Sequence, residues 1–348
     1  MAKPVSGSPG DHIDTELLGP GEAELAQAVQ ALQAGKLVAF PTETVYGLGA
    51  LVTKPDAIAA IFNAKGRPAD HPLIAHVPVG FSLESWADVS SPIAQRLMEA
   101  FWPGPLTLIV PKGPSMPNTV SGGQQSLGVR CPSHSVAQRL LSAIDAPVAA
   151  PSANRFGKVS PTCARHVFEE LNGRIDYVLD GGVSAVGIES TIVSVLDGQP
   201  VLLRPGSITR QQIEQVLGEP LRVAVADRNT QSLRVSGNLE QHYCPDAQLV
   251  VCDAETLTSH LRQTPSKQYG HPEQVVAIGW SSAFIQAAQL ANRVVSLPKD
   301  AKAVAHALYA QLREADRCGA RVIYFEKAPV SCEWDGVADR LKRAASTA

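Results

Sequence analysis

Cysteine pairs, long apolar runs, an excess of one charge and the common phosphate-loop signatures are all missing from this sequence, and each absence excludes something. The six cysteines, Cys131, Cys163, Cys244, Cys252, Cys318 and Cys332, form no C-x-x-C pair, which argues against a zinc ribbon or a disulfide framework and for a reducing compartment. No stretch of 18 apolar residues occurs and the start lacks a signal-peptide core, so the expectation is a cytoplasmic protein with no membrane partner. Thirty basic residues stand against 33 acidic ones, a net charge of -3, which offers no global field for nucleic acid. Aromatic residues are only 5% of the chain, too few for interleaved base-stacking platforms. Gly47-Leu-Gly49 lacks the third glycine of a dinucleotide fingerprint, and no G-x-x-x-x-G-K-[ST], H-E-x-x-H or G-x-S-x-G is present. No protein metal site is expected.

What is there suffices for two packed domains. The 348 residues, 45% hydrophobic, exceed the roughly 150 of a single ordinary domain. Residues 1–20, rich in Gly, Pro and Ser, read as a flexible arm. Helical spacing predicts a helix from Glu22 to a stop at Gly35, a second from a Thr53 cap through Phe62, a third between Pro92 and Pro103, and a fourth capped by Ser133. Apolar runs predict strands at Leu37–Phe40, Leu106–Val110, Val148–Ala150, Tyr177–Asp180, Thr191–Leu196 and Val201–Arg204, an interleaving that means α/β or α+β layers. The patternless stretch 216–246 reads as a linker between a first domain, 21–215, and a smaller α/β unit, 247–348.

The chemistry is expected in polar loops after strands. PTETVYGLGA, Pro41 to Ala50, sets Thr42, Glu43, Thr44 and Tyr46 beside two glycines; it could seat a small polar ligand or be ordinary turn chemistry. KGRPADHPLIAH, Lys65 to His76, holds two cations on a proline-stiffened loop, suited to a polyphosphate, with His71 and His76 close by. In SLGVRCPSH, Ser126 to His134, Arg130 follows an apolar residue and needs an anion, either a ligand or an internal acid. APSANRFGKVSPT carries Ser152, Asn154, Ser160 and Thr162 around Gly157, while GIESTIVSV and LLRPGS place Ser190 and Arg204 at strand ends.

Together with FWPGPLTL at Phe101 to Leu108, these strings resemble, in order and spacing, the YrdC-like family of L-threonylcarbamoyladenylate synthases over residues 20 to 210. The remainder resembles the accessory domain of the long form, with HYCP at His242 to Pro245 where that form usually has His-Tyr-Ala-Pro. The resemblance implies a twisted mixed-sheet YrdC-like domain with helices on its faces, followed by a smaller Rossmann-like α/β domain. It implies that L-threonine, bicarbonate or CO2, and ATP give threonylcarbamoyl-AMP and pyrophosphate. A separate transferase then uses the intermediate to make N6-threonylcarbamoyladenosine in tRNA. Carried over by matching position, Lys65 and Arg67 hold ATP phosphates and are the catalytic pair, with Mg2+ as companion. His71, Ser126, Ser152, Asn154, Ser160, Arg204 and Tyr243 complete the ATP site, and Thr44, His76, Arg130 and Ser190 hold L-threonine. Tyr243 acts as part of a lid. Ser236-Gly237-Asn238-Leu239 and Cys244 depart from the usual linker, which puts the hinge in question, and His71 stands where Asn is common, so its contact to ATP could differ in strength.

Two other readings carry weaker support. An RNA-binding module lacks the basic and aromatic surface, leaving at most weak RNA binding. A hydrogenase-maturation carbamoyltransferase would carry an acylphosphatase-like segment and zinc-finger cysteines, and neither is visible in this sequence.

Overall fold

A computed structural model describes residues 13–224, 234, 242–263 and 275–345. The first domain is built on one mixed sheet whose strands lie in the order β1-β8-β2-β3-β7-β4-β6-β5-β9-β10-β11. In chain order these are β1 (Glu16–Leu18), β2 (Val38–Phe40), β3 (Gly47–Leu51), β4 (Ile74–His76), β5 (Leu106–Pro111), β6 (Ser126–Arg130), β7 (Val148–Ala149), β8 (Tyr177–Leu179), β9 (Thr191–Ser194), β10 (Val201–Arg204) and β11 (Arg222–Val223). The helices α1 (Glu22–Gln33), α2 (Pro55–Lys65), α3 (Pro92–Phe101), α4 (Asn118–Ser121), α5 (Ser135–Ser142), α6 (Ala164–Leu171) and α7 (Arg210–Leu217) pack on it. The adjacent strands β5 and β6 are buried along nearly their whole length and are mostly apolar in their interior positions.

The second domain is a four-stranded parallel sheet in the order β12-β15-β13-β14. It comprises β12 (Gln248–Cys252), α8 (Ala254–Gln263), β13 (Val275–Gly279), α9 (Ser282–Ala287), β14 (Arg293–Ser296), α10 (Ala301–Arg317), β15 (Val322–Glu326) and α11 (Asp335–Ala344). An apolar seam joins the domains: Val45, Val159 and Ile188 of the first domain pack in one cluster with Tyr243, Val304, Tyr309 and Val337. The large mixed sheet followed by a small parallel one is the architecture expected from the sequence.

Several local expectations are corrected. The arm assigned to residues 1–20, of which 1–12 lie outside the described residues, includes β1, which pairs parallel with β8 and buries Leu18. Its three residues, two of them exposed, are too few to show a period. The first domain runs past 215, since α7 straddles that position and β11 extends the sheet beside β10. Lys54 rather than Thr53 caps α2, with Pro55 in the first turn, and His134 rather than Ser133 caps α5, accepting from the Val136 amide. The Ser133 amide instead donates to Glu43. Ser236-Gly237-Asn238-Leu239 lies outside the described residues.

Candidate active site

The ends of β2, β4, β6, β9 and β10 meet the C-terminus of α2 around a cavity of about 590 Å³, counting its open mouth. It is lined by Thr44, Lys65, Arg67, His76, Arg130, Ser152, Asn154, Ser190, Arg204 and Tyr243, ten of the residues singled out from sequence, brought together from across the first domain and the linker.

The turn from β2 to β3 is closed by Thr42, whose hydroxyl donates to the Val45 carbonyl (2.6 Å) and accepts from the Thr44 and Val45 amides. That leaves Thr44 free to accept from Arg130 Nη1 (2.8 Å). Glu43 Oε1 accepts from Arg130 Nη2 (2.6 Å), so the anion that Arg130 required is supplied inside the fold. Arg130 Nε donates to the Gly104 carbonyl, and of its five N–H groups two remain for a ligand. His76 lies opposite Arg130 in the β4–β6 register, and burial, then Arg130, push its pKa down to about 3, so the ring is neutral. Tyr46 points away from the cavity, donating to the Gly182 carbonyl (2.7 Å).

At the other end, Gly66 in the left-handed region (φ 62°) stops α2 and sets its last residue, Lys65, beside Arg67. Lys65 Nζ donates to the Ser152 and Asn154 carbonyls, both at 2.5 Å, and Arg67 Nη2 to the Pro72 carbonyl at 2.9 Å. Both cations are buried, and among the described residues no carboxylate bridges either one. Burial first, and mutual repulsion with Arg67 second, push the Lys65 ammonium well below its ordinary pKa, and burial holds Arg67 to about 10. Four buried polar atoms of lining residues have no hydrogen-bond partner: Arg67 Nε, Asn154 Oδ1, His242 Nδ1 and Tyr243 Oη. Buried polar groups are nearly always paired, so their concentration here marks a ligand site.

Three expected residues stand elsewhere. Ser126 lines a smaller cavity with Gly128, Ile192 and Arg234, sharing only Ile74 with the main one. Ser160 lies behind the wall and donates to Glu189 Oε1 (2.5 Å). His71 is separated from the cavity by Phe156, on whose ring it packs edge-on at 5.5 Å. Conversely, Phe156, Glu189 and His242 line the cavity without having been assigned roles. Glu189 could have been noticed as a lone carboxylate entering the apolar run of GIESTIVSV. Burial would raise its pKa, but Arg340 and Arg204 outweigh that and hold it at about 2.

The linker re-enters at His242 and Tyr243. Tyr243 has a positive φ of 68°, a strained setting for a non-glycine residue, and is buried against Tyr309 and the Arg340 guanidinium. Its neighbour Cys244 bridges to Lys158, which ties the linker to the Asn154–Lys158 loop.

Comparison with known proteins decides the family. The Sua5/YciO/YrdC family, described as telomere recombination, matches residues 30–206, and the threonylcarbamoyl-AMP synthase C-terminal domain matches 208–346. The chain belongs to the threonylcarbamoyl-AMP synthase family. A threonylcarbamoyl-AMP synthase of Pyrococcus abyssi is 38% identical over 93% of this chain and 94% of the relative, and one of Bacillus subtilis is 44% identical over 69% of each. The structure of P. abyssi Sua5 complexed with L-threonine superposes with a TM-score of 0.85 at 36% identity, covering 95% of this chain and 97% of that one. The chain is thus a two-domain transferase of the nucleotidyltransferase type that acts in tRNA modification. The family boundary at 206–208 falls before α7, earlier than the linker expected at 216–246.

Proposed function

We propose that the cavity seats ATP and L-threonine end to end, with bicarbonate or CO2 between them, and that the residues act by placement and charge. The observation that carries this reading is the Lys65–Arg67 pair, two buried cations beside a cavity, neither of them bridged by a carboxylate among the described residues. A triphosphate supplies the missing charge, and desolvated cations stabilise the charge that builds on a transferring phosphoryl group. Asn154 and Ser152, on the loop that holds Lys65, bind beside them, with Arg204 and Tyr243 closing the nucleotide end.

Arg130, Thr44, His76 and Ser190 hold threonine. The two unused Arg130 N–H groups meet its carboxylate. Neutral His76 adds no further positive charge near the amine. Carbamate formation makes an N–C bond as the amine loses a proton: with CO2 the proton passes to solvent, and with bicarbonate a C–O bond breaks and the departing hydroxide takes the proton as water. A carbamate oxygen then attacks the α-phosphorus, and the bond to the bridging oxygen of pyrophosphate breaks. Neither step needs a protein nucleophile, so alignment of the three reactants carries the rate.

Mg2+ is read as arriving on the ATP phosphates, where it neutralises charge. Among the described residues no group of three or more His, Cys, Asp or Glu side chains gathers to hold an ion separately. Ser126, Ser160 and His71 contribute to ATP only through neighbours on this reading. The product passes to a separate transferase in the cytoplasm, and RNA contact is at most weak. Among the described residues, no helix is long and apolar enough to cross a membrane.

The test is pyrophosphate release with Mg2+, bicarbonate and ATP, with L-threonine, serine or valine. Threonine-dependent release, with a nucleotide product carrying label from both bicarbonate and threonine, supports the reading. Release regardless of the amino acid rejects it.

A further inference from the structure

We propose that Arg340, a residue of the second domain, is a positioning residue for the substrate site in the first: it clamps the two strand ends that present Ser190 and Arg204 to the cavity. Its side chain is fully buried in the domain interface. Nε donates to Glu189 Oε2 (2.8 Å), Nη2 to the Glu189 carbonyl (3.1 Å) and Nη1 to the Pro205 carbonyl (2.8 Å). Glu189 immediately precedes Ser190, and Pro205 immediately follows Arg204. One planar fork therefore fixes the residue before one substrate group and the residue after the other. The two groups are themselves joined, since Arg204 donates to the Ser190 carbonyl through Nε (3.1 Å) and Nη2 (2.9 Å).

The clamp has little slack. Tyr309 of α10 donates to Glu189 Oε2 (2.8 Å) and Ser160 to Oε1 (2.5 Å), so both carboxylate oxygens are engaged. Asp339 adds a second acid to Arg340 (2.7 Å). Backbones meet directly on either side. A Cβ on Gly336 of α11 would lie 3.0 Å from the Gly206 carbonyl, and one on Gly187 would lie 2.5 Å from the Ala305 carbonyl of α10. Any shift of α10 or α11 is thereby passed to Ser190 and Arg204, which gives the second domain a part in catalysis without touching substrate.

The inference rests on the reading that Ser190 and Arg204 face the substrates, so the experiment tests both. Steady-state pyrophosphate release and calorimetric binding of L-threonine are measured on the full chain for Arg340→Met, Arg340→Lys, Tyr309→Phe and Ser190→Ala, each normalised to folded protein. Expected are a rise of about tenfold or more in KM for both L-threonine and ATP in Arg340→Met, with kcat falling less. Arg340→Lys keeps the charge but not the fork and stays impaired in KM. Tyr309→Phe, which removes only the hydroxyl that bonds Glu189 and keeps the ring, weakens threonine binding about threefold. If Ser190→Ala raises the threonine KM while Arg340→Lys and Tyr309→Phe bind both substrates like the parent, the substrate reading stands and the clamp is wrong. An unchanged threonine KM in Ser190→Ala rejects the substrate role of Ser190, and the clamp with it.

Discussion

Arg67 and Arg130 are both buried guanidinium groups on one cavity, yet the chain treats them oppositely. Arg130 is matched by Glu43, Thr44 and a backbone carbonyl, so its charge is largely answered before any ligand arrives. Arg67 has the Pro72 carbonyl as its bonded partner and stands beside a second cation, Lys65. An answered charge holds a shape, and an unanswered one waits for an anion. Under the proposed assignment the threonine end is therefore preformed, whereas the phosphate end is kept under electrostatic tension that a nucleotide would relieve.

The sharpest way to break this comparison is to remove each charge in turn. Arg67→Met is expected to lower kcat/KM by about 10²–10³-fold, the range for losing one preorganised donor to a developing charge. Its thermal midpoint should hold or rise, because a costly uncompensated cation has gone. The added stability that ATP gives the parent should shrink as affinity is lost. A lower midpoint with ordinary activity would show that Arg67 is structural.

Arg130→Met should behave differently. It leaves Glu43 buried without its partner, a change that costs about 3–5 kcal/mol in other proteins, so unfolding in urea should shift clearly. Where the variant stays folded, threonine use should fall far more than ATP binding, as the carboxylate loses its fork. Equal losses for both ligands would reject the assignment. Pairing it with Glu43→Gln should recover part of the stability but not the threonine KM.

The sequence made some of this legible for physical reasons. Lys65 and Arg67 are two residues apart around a helix-stopping glycine, so their proximity is written in the chain. Arg130 declared its need for an anion because Val129 precedes it, but the choice between ligand and internal acid depended on Glu43, 87 positions away. The Glu189–Arg340 clamp spans 151 positions and two domains, and no local pattern announces it. Ser126 and Ser160 sit in strings that match the family in order, yet Ser126 shares a face of β6 with Arg130 and stands at the strand's other end, while Ser160 lies in a loop with no strand period, so order along the chain did not say which hydroxyl meets the cavity. The three-residue strand β1 lies below the length at which periodicity can be read.

Acid titration tests the same contrast across the whole site with a smaller effect. His76 and His242 are held neutral, with pKa values pushed by burial from 6.5 to about 3. The unfolded chain takes up protons that these rings refuse, so their contribution to stability is whole above about pH 6.5 and is lost as pH falls towards 3. Glu189, lowered from 4.5 to about 2, adds a loss that begins below about pH 4.5. The thermal midpoint should therefore decline below pH 6.5 and more steeply below 4.5. His242→Phe preserves a ring against Phe156 and Tyr243 and should flatten the upper part of that decline. An unaltered slope would mean the His242 ring is not neutral in the fold.

The smallest expected effect is at the surface tie between Lys158 and Asp246, which joins the linker to the loop carrying Asn154. Its position invites a role in holding Tyr243 over the cavity. Yet Asp246 is largely exposed, and an ion pair in water contributes about 0–1 kcal/mol while losing side-chain freedom. Other contacts can hold the linker without it: the amide of half-buried Cys244 donates to the Gly157 carbonyl (2.8 Å), and buried Tyr243 packs on Tyr309. Asp246→Asn should then leave kcat, both KM values and the midpoint within about twofold or a degree or two of the parent, with no salt dependence removed. A large rise in the ATP KM alone would place the linker's hold in exposed charge rather than in the buried ring, and the division between answered and unanswered charges would have to extend to the cavity's rim.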